Sequence, residues 1–356
     1  QGPSSEQGPS SEKGPTSGKS LDSEGSLAPE EELTPGRFAD WTRRRPRLID
    51  GRMGQELLRR GLSTEGDTLW SAHALLKAPG LAKQVHRDYI RAGAEIILTN
   101  TYATSRKHLA SEGRREDFEA LNRAAVRLAR EARASCDADD ETGRPGGTAA
   151  TVLIAGALPP YDTSYRPERS ASTEEMREEF RAQAEVLAPH IDLMICETLS
   201  TVAEARAAAL GVRDVTGKPL LISWTLPEEV PTGEVPPEKT PAREASAEEA
   251  SAEEASTEEV PAASPESSFK ESSLRDGTPL SEAIGETKGL ADGVLANCCP
   301  PESIMAALPE MDAAAGVPVG GYANGFQPFP EGWKYEDPES IPDARGDLGP
   351  EDYARH

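Results

Sequence analysis

The chain has 356 residues and a formal net charge of −24 at pH 7. This acidic excess argues against nucleic acids and anionic membrane surfaces as partners, and no apolar run approaches the roughly 20 residues of a membrane-spanning helix. The four cysteines, at positions 136, 196, 298 and 299, lack the density of a disulfide framework, so we expect a reducing, cytoplasmic compartment.

Two low-complexity segments carry most of the negative charge. Residues 1–36 contain seven acidic residues and two lysines, and residues 228–271 contain 13 acidic residues and three basic ones. Neither segment has the apolar stripe that would let it bury enough surface to fold. We therefore expect residues 1–36 to be disordered and residues 228–275 to form a disordered acidic insertion, which is either solvated or a docking arm.

The rest of the chain alternates between short apolar runs and amphipathic segments. Hydrophobic periodicity predicts strands over residues 47–50, 95–100, 152–156, 192–197, 220–224, 293–297 and 317–322. It predicts helices over residues 55–60, 81–92, 117–135, 172–189, 202–212, 280–288 and 302–315.

Seven β units separated by helices predict an α/β fold with parallel strands. The closed form of such a fold is a (β/α)8 TIM-type barrel, which residues 37–227 and 276–356 would share. We expect this barrel to be incomplete at its C-terminus, with the last strand and helix missing, as part of a longer protein. An open doubly wound sheet is the alternative, although residues 50–54 (DGRMG) match a Gly-rich phosphate loop poorly.

In a barrel of this type, functional side chains follow the C-terminal ends of the strands. The residues at those positions are Asp50, Gly51, Asn100, Thr101, Glu197, Thr198, Thr225, Asn297, Cys298 and Asn324. Carboxylates hold an ammonium group, and N–H and hydroxyl groups hold a carboxylate, so this set suits a small zwitterion. The adjacent thiols of Cys298 and Cys299 suggest a soft metal, most often zinc.

Each assignment has a structural alternative. Cys298 is either a metal ligand or a buried filler, and Cys299 is expected to be a filler. Glu197 either holds substrate or pairs with an arginine, and Asp50 either holds substrate or caps the next segment. Because side chains alternate along a strand, we expect Cys196 to face the core if Glu197 faces the barrel mouth.

The remaining thiol and the histidines give no clear indication of a functional role. Cys136, near the end of a predicted helix, is expected to be an inert surface thiol. The five histidines show no ligand spacing, and we expect His86 to be a packed or half-exposed side chain.

Six motifs follow one another along the chain: residues 48–58 (LIDGRMGQELL), 69–72 (LWSA), 85–94 (VHRDYIRAGA), 99–102 (TNTY), 196–198 (CET) and 297–302 (NCCPPE). Together they resemble the homocysteine S-methyltransferase family. The resemblance spans roughly residues 47–350 and is interrupted by the acidic insertion. Several motifs in register are a specific signal, whereas any one of them is weak.

The resemblance implies a zinc-containing barrel that transfers a methyl group from a sulfonium-type donor, such as S-methylmethionine, to homocysteine, giving methionine. It implies that Cys298 is a zinc ligand, that zinc activates the homocysteine thiol, and that Asp50 and Glu197 hold the substrate ammonium. Zinc would generate the nucleophilic thiolate from a thiol that is mostly protonated at neutral pH. Three further residues complete the expected substrate site: Gly51, Thr101 and Asn297.

The chain departs from the family pattern in three ways. Arg52 stands where the family usually has a second glycine, and its guanidinium would either crowd the substrate or bind its carboxylate. The acidic insertion leaves the C-terminal end of the predicted fifth strand, at the expected site. The family's other two zinc thiolates come from a Gly-Cys-Cys-type segment near the last strand, and no cysteine follows Cys299 in this sequence.

Two other functions are compatible with the sequence. One is a non-catalytic barrel scaffold that binds a homocysteine-like ligand or a protein partner, with the acidic segments as docking arms. The other is a metal-independent lyase or aldolase with Glu197 as its base, but no predicted strand ends in the lysine that this chemistry requires.

Overall fold

The computed structural model describes residues 32–63, 69–138, 152–162, 164–165, 167, 171–227, 271–327 and 344–354. Its helices are α1 (Pro35–Arg43), α2 (Met53–Arg59), α3 (His73–Lys77), α4 (Pro79–Arg91), α5 (Arg106–Ser111), α6 (Phe118–Ala138), α7 (Thr173–Leu187), α8 (Val202–Arg213), α9 (Leu280–Thr287), α10 (Pro301–Ala315) and α11 (Pro350–Tyr353). Its strands are β1 (Ile96–Leu98), β2 (Leu153–Leu158), β3 (Leu193–Leu199), β4 (Leu220–Trp224), β5 (Gly293–Asn297) and β6 (Val319–Tyr322).

The strands form one six-stranded sheet in the order β1-β2-β3-β4-β5-β6. Every neighbouring pair is parallel, and at least one helix lies between each strand and the next. The segment before β1 adds a single parallel bridge, from Ile49 to Ile96. The prediction of a parallel α/β fold is confirmed, and the sheet corresponds to part of a TIM-type barrel. The strand predicted over residues 47–50 is reduced to this bridge.

The side chains of strand β3 alternate between the two faces of the sheet. Leu193 and Ile195 pack in a cluster that gathers residues from one face of β1 to β5, whereas Met194 and Cys196 pack in a larger cluster between the sheet and its helices. Because side chains alternate along a strand, Glu197 follows Leu193 and Ile195 onto the inner face. The expectation that Cys196 is a core residue is confirmed.

Helix α1 lies outside the predicted elements and covers the starts of the strands. The Thr34 hydroxyl accepts the N–H of Arg37 at 3.3 Å, and Pro35 occupies the first helical position, as is typical of a helix N-terminus. Phe38 and Trp41 are each 2% exposed and pack against the inner face of the sheet. Helix α1 therefore packs on the inner face at the end opposite the strand C-termini.

The two segments expected to be disordered lie mainly outside the described residues, which include neither 1–31 nor 228–270. Their described margins are ordered. Leu33 and Leu274 are buried, and Ser273 pairs with Pro279. The packed chain therefore begins before residue 37 and resumes before residue 276.

The expectation that Cys136 is a surface thiol is wrong. Cys136 is buried and packs in the cluster between sheet and helices. Helix α6 continues to Ala138, so Cys136 lies one turn after the buried Ala132 on the same face.

A cleft of about 890 Å³ runs between residues 45–52 and β6. Among the described strands, β6 pairs only with β5, and the cleft follows its other edge. Four residues line the end of the cleft nearest the strand C-termini: Asp50, Gly51, Arg52 and Tyr322. Across the described ranges, no helix has the length and apolarity needed to cross a membrane.

Candidate active site

Glu197 lies at the centre of the candidate site. It is buried near the C-terminal end of β3, and its Oε2 accepts a hydrogen bond from the Tyr322 hydroxyl at 2.9 Å. Burial raises the pKa of Glu197 to about 7, although the Tyr322 hydrogen bond opposes this shift. The charge of Glu197 in turn raises the pKa values of Asp50 and Cys298. Three residues expected at the site from sequence, two carboxylates and a thiol, are therefore close enough to interact.

Asp50 follows the residue that bridges to β1. Its Oδ2 accepts the N–H of Leu98 at 3.1 Å, whereas Oδ1 is buried and has no hydrogen-bond partner among the described residues. Burial is the main cause that raises the pKa of Asp50 well above its ordinary value. Asp50 does not cap α2, because the N-cap residue is Arg52 and no side chain accepts the helix N–H groups. An unpartnered buried carboxylate oxygen suits a bound cationic group.

His86, on α4, faces Asp50 from the helix layer. Its Nδ1 lies 4.0 Å from Asp50 Oδ2, and neither ring nitrogen has a hydrogen-bond partner within the described ranges. Burial lowers the pKa of His86 to about 4, so the imidazole is neutral at neutral pH. His86 is fully buried, which confirms the expectation of a packed side chain.

Gly51 makes room for Tyr89. A Cβ at Gly51 would lie 2.5 Å from the Tyr89 hydroxyl oxygen and 2.8 Å from two ring carbons, closer than real Cβ atoms approach. Any side chain at position 51 would therefore displace the Tyr89 ring. Gly51 lines the cleft next to Asp50, so its backbone, rather than a side chain, borders the site.

Asn297, the last residue of β5, ties three strand ends together. Its Oδ1 accepts the Thr198 N–H at 2.9 Å and the Ser223 hydroxyl at 2.7 Å. Its Nδ2 donates to the Thr198 hydroxyl at 2.9 Å and to Cys298 Sγ at 3.3 Å. The side chain uses its full hydrogen-bonding capacity within the protein. Asn297 therefore positions the thiol and the backbone next to Glu197.

Backbone strain is concentrated at the same point. Cys298, Thr198 and Tyr165 have φ angles of 52°, 64° and 67°, and they are the non-glycine residues with positive φ in the described part of the chain. The side chains of Thr198 and Tyr165 lie close enough to Cys298 to influence the pKa of its thiol. Left-handed backbone costs roughly 1–3 kcal/mol at each non-glycine residue, and such residues cluster at functional sites.

Cys298 is the partly exposed cysteine, whereas the other three are buried. Burial raises the pKa of the Cys298 thiol, and the charge of Glu197 adds to this effect. Hydrogen bonds from Thr198 and Tyr165 and the charge of Arg52 lower the pKa of the thiol. Cys299 packs in the core between sheet and helices, as expected of a filler.

The described residues do not by themselves fit a catalytic zinc ion. Such an ion takes three protein ligands and leaves one position open. Among the residues that the structure describes, no group of three or more His, Cys, Asp or Glu side chains is arranged to hold a metal. Cys298 is the thiol of this set that borders the site, since Cys136, Cys196 and Cys299 are packed in the core.

Thr101 is buried and its polar groups bind the protein. Its hydroxyl donates to the Ala157 carbonyl at 2.6 Å and lies 2.8 Å from the Thr99 hydroxyl. Its N–H donates to the Thr99 carbonyl at 2.8 Å. These contacts assign Thr101 to the packing of β1 against β2, although it lies at the strand end where a substrate residue is expected.

The other strand-end residues also have protein partners. Asn100 donates to the Ser71 carbonyl at 2.8 Å, the Thr225 hydroxyl lies 3.5 Å from the Cys298 carbonyl, and the Asn324 carboxamide accepts the Phe326 N–H at 3.2 Å. These contacts stabilise the loops that follow the C-terminal ends of the strands.

Tyr165 and Tyr322 are site residues that the sequence reasoning missed. Tyr322 ends β6 and its side chain belongs to the inner face, so the alternation of side chains along the last predicted strand is a signal for its position. Tyr165 follows β2 in irregular chain, where no periodicity predicts the direction of a side chain.

The chain matches a known protein family over more than half of its length. The family model for homocysteine S-methyltransferase matches residues 47–251. A homocysteine S-methyltransferase of Escherichia coli (strain K12) is 36% identical over 170 residues, which cover 46% of this chain and 53% of that protein. A selenocysteine methyltransferase of Astragalus bisulcatus is 33% identical over 189 residues, 46% of this chain and 54% of that protein. The chain therefore spans about half the length of the curated relatives it matches.

Solved structures are similar over a longer range. The metallated form of the homocysteine methyltransferase MmuM from Escherichia coli superposes with a TM-score of 0.61 at 27% sequence identity, covering 82% of this chain and 87% of that one. The oxidized form of the same protein gives a TM-score of 0.59 at 28% identity, covering 78% and 82%. The likeness extends beyond the acidic insertion into the part of the sheet that carries Cys298.

Proposed function

This chain belongs to the homocysteine S-methyltransferase family, and from that membership we propose that the protein transfers a methyl group from a sulfonium-type donor to the thiol of homocysteine, giving methionine. The single observation that supports this most directly is the cluster of Asp50, Glu197 and Cys298 at the C-terminal end of the sheet. Two carboxylates suit the ammonium group of an amino thiol, and Cys298 lies where a thiol-binding metal would find a thiolate ligand.

In the proposed reaction, Asp50 and Glu197 hold the ammonium group of homocysteine. Glu197 has a pKa of about 7, so a nearby ammonium ion shifts it toward the ionised form by direct charge attraction. The acceptor thiol releases its proton to solvent, and an electron pair on its sulfur forms the new bond to the methyl carbon. The electron pair of the breaking carbon–sulfur bond returns to the donor, which leaves as a neutral thioether.

Asn297 and Tyr322 have positioning roles in this proposal. The Asn297 carboxamide holds the Cys298 sulfur and the Thr198 backbone in a fixed relation, and the Tyr322 hydroxyl fixes one oxygen of Glu197. Preorganised partners of this kind keep reacting groups aligned without reorganisation during the reaction.

Cys298 is the described residue that we expect to bind zinc. We assign Cys298 as a zinc ligand, and the remaining ligands would come from outside the residues that the structure describes. When bound, zinc would supply a Lewis acid that lowers the pKa of a coordinated thiol. Metal content is the test: the full-length protein should contain about one zinc per chain by mass spectrometry of the metal. Cys298→Ser should lose that zinc, and the matched control Cys136→Ser, on α6, should retain it.

Methionine formation tests the activity itself. Full-length protein is incubated with L-homocysteine and either S-methylmethionine or S-adenosylmethionine, and the product is measured by liquid chromatography and mass spectrometry. Selenocysteine serves as a competing acceptor, because relatives of this chain are named selenocysteine methyltransferases. Glu197→Gln should lower kcat/KM for homocysteine by about 10- to 100-fold, since it removes a charged hydrogen-bond partner.

A matched control separates the site from general damage. Glu310→Gln, on α10, alters a carboxylate that accepts the N–H groups of Ser272 and Ser281, away from the candidate site, and should leave kcat/KM unchanged. Absence of methionine with either donor contradicts the proposal, and homocysteine binding without turnover favours a non-catalytic scaffold.

A further inference from the structure

Arg52 is a cation at the site for which the described residues provide no acidic partner. It follows Asp50 and Gly51 directly and lines the cleft with them. Its guanidinium lies 4.5 Å from the centroid of the Phe326 ring, in the chain that follows β6. Three other arginines near the ends of the sheet form ion pairs with acidic residues. Arg47 contacts Glu95, Arg213 contacts Asp292 and Arg345 contacts Glu302.

The charge of Arg52 reaches the reacting end of the site. Burial raises the pKa values of the Cys298 thiol and of Tyr89, beside Gly51, and the charge of Arg52 partly opposes both rises. The guanidinium lies beside Gly325 and Phe326, since its Nη2 would be 3.7 Å from a Cβ placed at Gly325. Stacking on Phe326 fixes its plane while leaving its N–H edge available to a ligand.

The groups expected to bind a substrate carboxylate are already used by the protein. The Thr101 hydroxyl and N–H donate to carbonyl groups. The Asn297 amide nitrogen donates to Thr198 and Cys298. A zwitterion bound through its ammonium at Asp50 and Glu197 would leave its carboxylate without a charged donor, unless Arg52 supplies one.

We propose that Arg52 binds the α-carboxylate of an amino-acid substrate through the N–H edge of its guanidinium. Residues two apart on extended chain project to the same side at a spacing of about 6.6 Å, and Arg52 has extended backbone angles, φ −71° and ψ 107°. Asp50 and Arg52 also line the same cleft, so in the proposal they present an anion and a cation to the ammonium and carboxylate of one α-carbon. A guanidinium suits this task because it holds both carboxylate oxygens at once.

This inference rests on the proposed function, because it takes the ligand to be an amino acid. Both homocysteine and a donor such as S-methylmethionine carry an α-carboxylate. The experiment must therefore separate the acceptor from the donor.

Binding of the acceptor is measured by calorimetry without any donor. Full-length wild type, Arg52→Gln and Arg52→Lys are each titrated with L-homocysteine and with 3-aminopropanethiol, which is homocysteine without its carboxylate. Arg59→Gln is the matched control, because Arg59 ends helix α2, which begins directly after Arg52, and it is exposed and pairs with Glu56. Thermal unfolding of each variant checks that the fold is intact.

For an acceptor carboxylate, Arg52→Gln should weaken homocysteine binding by about 10- to 100-fold, the range of a charged hydrogen-bond pair. It should leave the weak binding of 3-aminopropanethiol unchanged, and Arg52→Lys should restore part of the loss. For a donor carboxylate, homocysteine binding stays the same, and KM for S-methylmethionine rises by a similar factor. Either pattern supports the inference.

Two results overturn it. Equal weakening of both thiol ligands in Arg52→Gln assigns Arg52 a structural role, and unchanged acceptor binding together with unchanged donor KM assigns it none at the substrate. Failure of the wild type itself to bind homocysteine overturns the proposed function as well, so the two failures are distinguishable.

Discussion

The hydroxyl of Tyr322, at the end of β6, donates to Oε2 of Glu197, in β3, at 2.9 Å. The two residues are 125 positions apart in sequence and meet across the inner face of the sheet. Tyr322 fixes the orientation of the carboxylate and lowers its pKa, while burial has the larger, opposite effect and raises that pKa to about 7. A small change at Tyr322 is therefore sufficient to alter the charge state of Glu197 at neutral pH.

Tyr322→Phe should raise the pKa of Glu197 above its wild-type value. Only the ionised carboxylate attracts an ammonium group, so homocysteine binding in the wild type should strengthen as pH rises through about 7. In Tyr322→Phe this rise should move to higher pH, and binding at pH 7 should weaken. Calorimetry between pH 6 and pH 8.5 measures the shift. Tyr353→Phe removes a phenol that binds the Ala323 backbone, so an identical displacement in that control would contradict the assignment.

The buried charge of Glu197 should also appear in protein stability. Its folded pKa, about 7, lies above the ordinary value of 4.5. The folded state therefore binds a proton more tightly than the unfolded state does, and the free energy of unfolding falls as pH rises from about 4.5 to about 7. Glu197→Gln removes this loss, so it should be more stable than wild type at pH 8, by up to about 3 kcal/mol.

Urea unfolding at pH 4.5 and pH 8 measures the effect. The difference between Glu197→Gln and wild type should be larger at pH 8 than at pH 4.5. Glu310→Gln serves as the control for loss of a carboxylate, and a difference independent of pH would exclude Glu197 as the titrating group.

The framework of the sheet could be predicted from sequence where a strand is buried on both faces. Strands β4 and β5 have the bounds that their apolar runs predict, because buried parallel strands are bounded by clear breaks in hydrophobicity. The capping box at Ser172 likewise predicts the start of α7. The strand predicted at residues 47–50 forms only a single bridge. In the described sheet, Ile49 has a neighbouring strand on one side only, where it pairs with Ile96.

The site was less predictable than the framework. Strand ends identify Asp50, Glu197 and Cys298, but they do not reveal which hydrogen bonds are already satisfied. The saturation of Asn297 depends on Ser223 and Thr198, which are distant in sequence. The position of Tyr165 depends on a left-handed backbone, which no propensity predicts for tyrosine. For Cys136 the signal was present, since it continues the apolar spacing of α6.

Asn297→Ala should remove the hydrogen bonds that link the Cys298 thiol to the ends of β3 and β4. The substitution leaves the Thr198 N–H and the Ser223 hydroxyl without their buried acceptor, which should destabilise the protein by about 2–3 kcal/mol. It also removes the donor to Cys298 Sγ, so the native thiol should change its rate of alkylation by iodoacetamide. Because the other three cysteines are buried, labelling of the folded protein reports on Cys298.

A second buried asparagine provides the control. Asn122 binds the Phe118 and Thr104 carbonyls and accepts from Thr104 and Gln183, far from Cys298 in the packing of α6. Asn122→Ala should destabilise the protein to a similar extent without altering the alkylation rate. Equal alkylation rates in both variants would exclude Asn297 as the residue that positions the sulfur.

His86 should affect protein stability with a pH dependence opposite to that of Glu197. Burial lowers its pKa from 6.5 to about 4, so the unfolded state binds the proton more tightly. Its contribution to stability is therefore fully present above pH 6.5 and is lost as pH falls toward 4. His86→Leu should lose packing and its contact with Asp50 at pH 7.5 but regain about 2 kcal/mol relative to wild type at pH 5.

Unfolding by urea at the two pH values measures this reversal, and His190→Leu, at a half-exposed position, controls for removal of an imidazole. Asp50 is the acidic group that His86 approaches, at 4.0 Å. A protonated His86 would be attracted to an ionised Asp50, so the double variant His86→Leu, Asp50→Asn distinguishes the pair from burial alone. If burial alone acts, the pH dependence of the stability change should be the same whether Asp50 is present or replaced. A dependence that disappears with Asp50→Asn would show that the two side chains titrate as a unit, and that His86 influences the charge state of Asp50 from the helix layer.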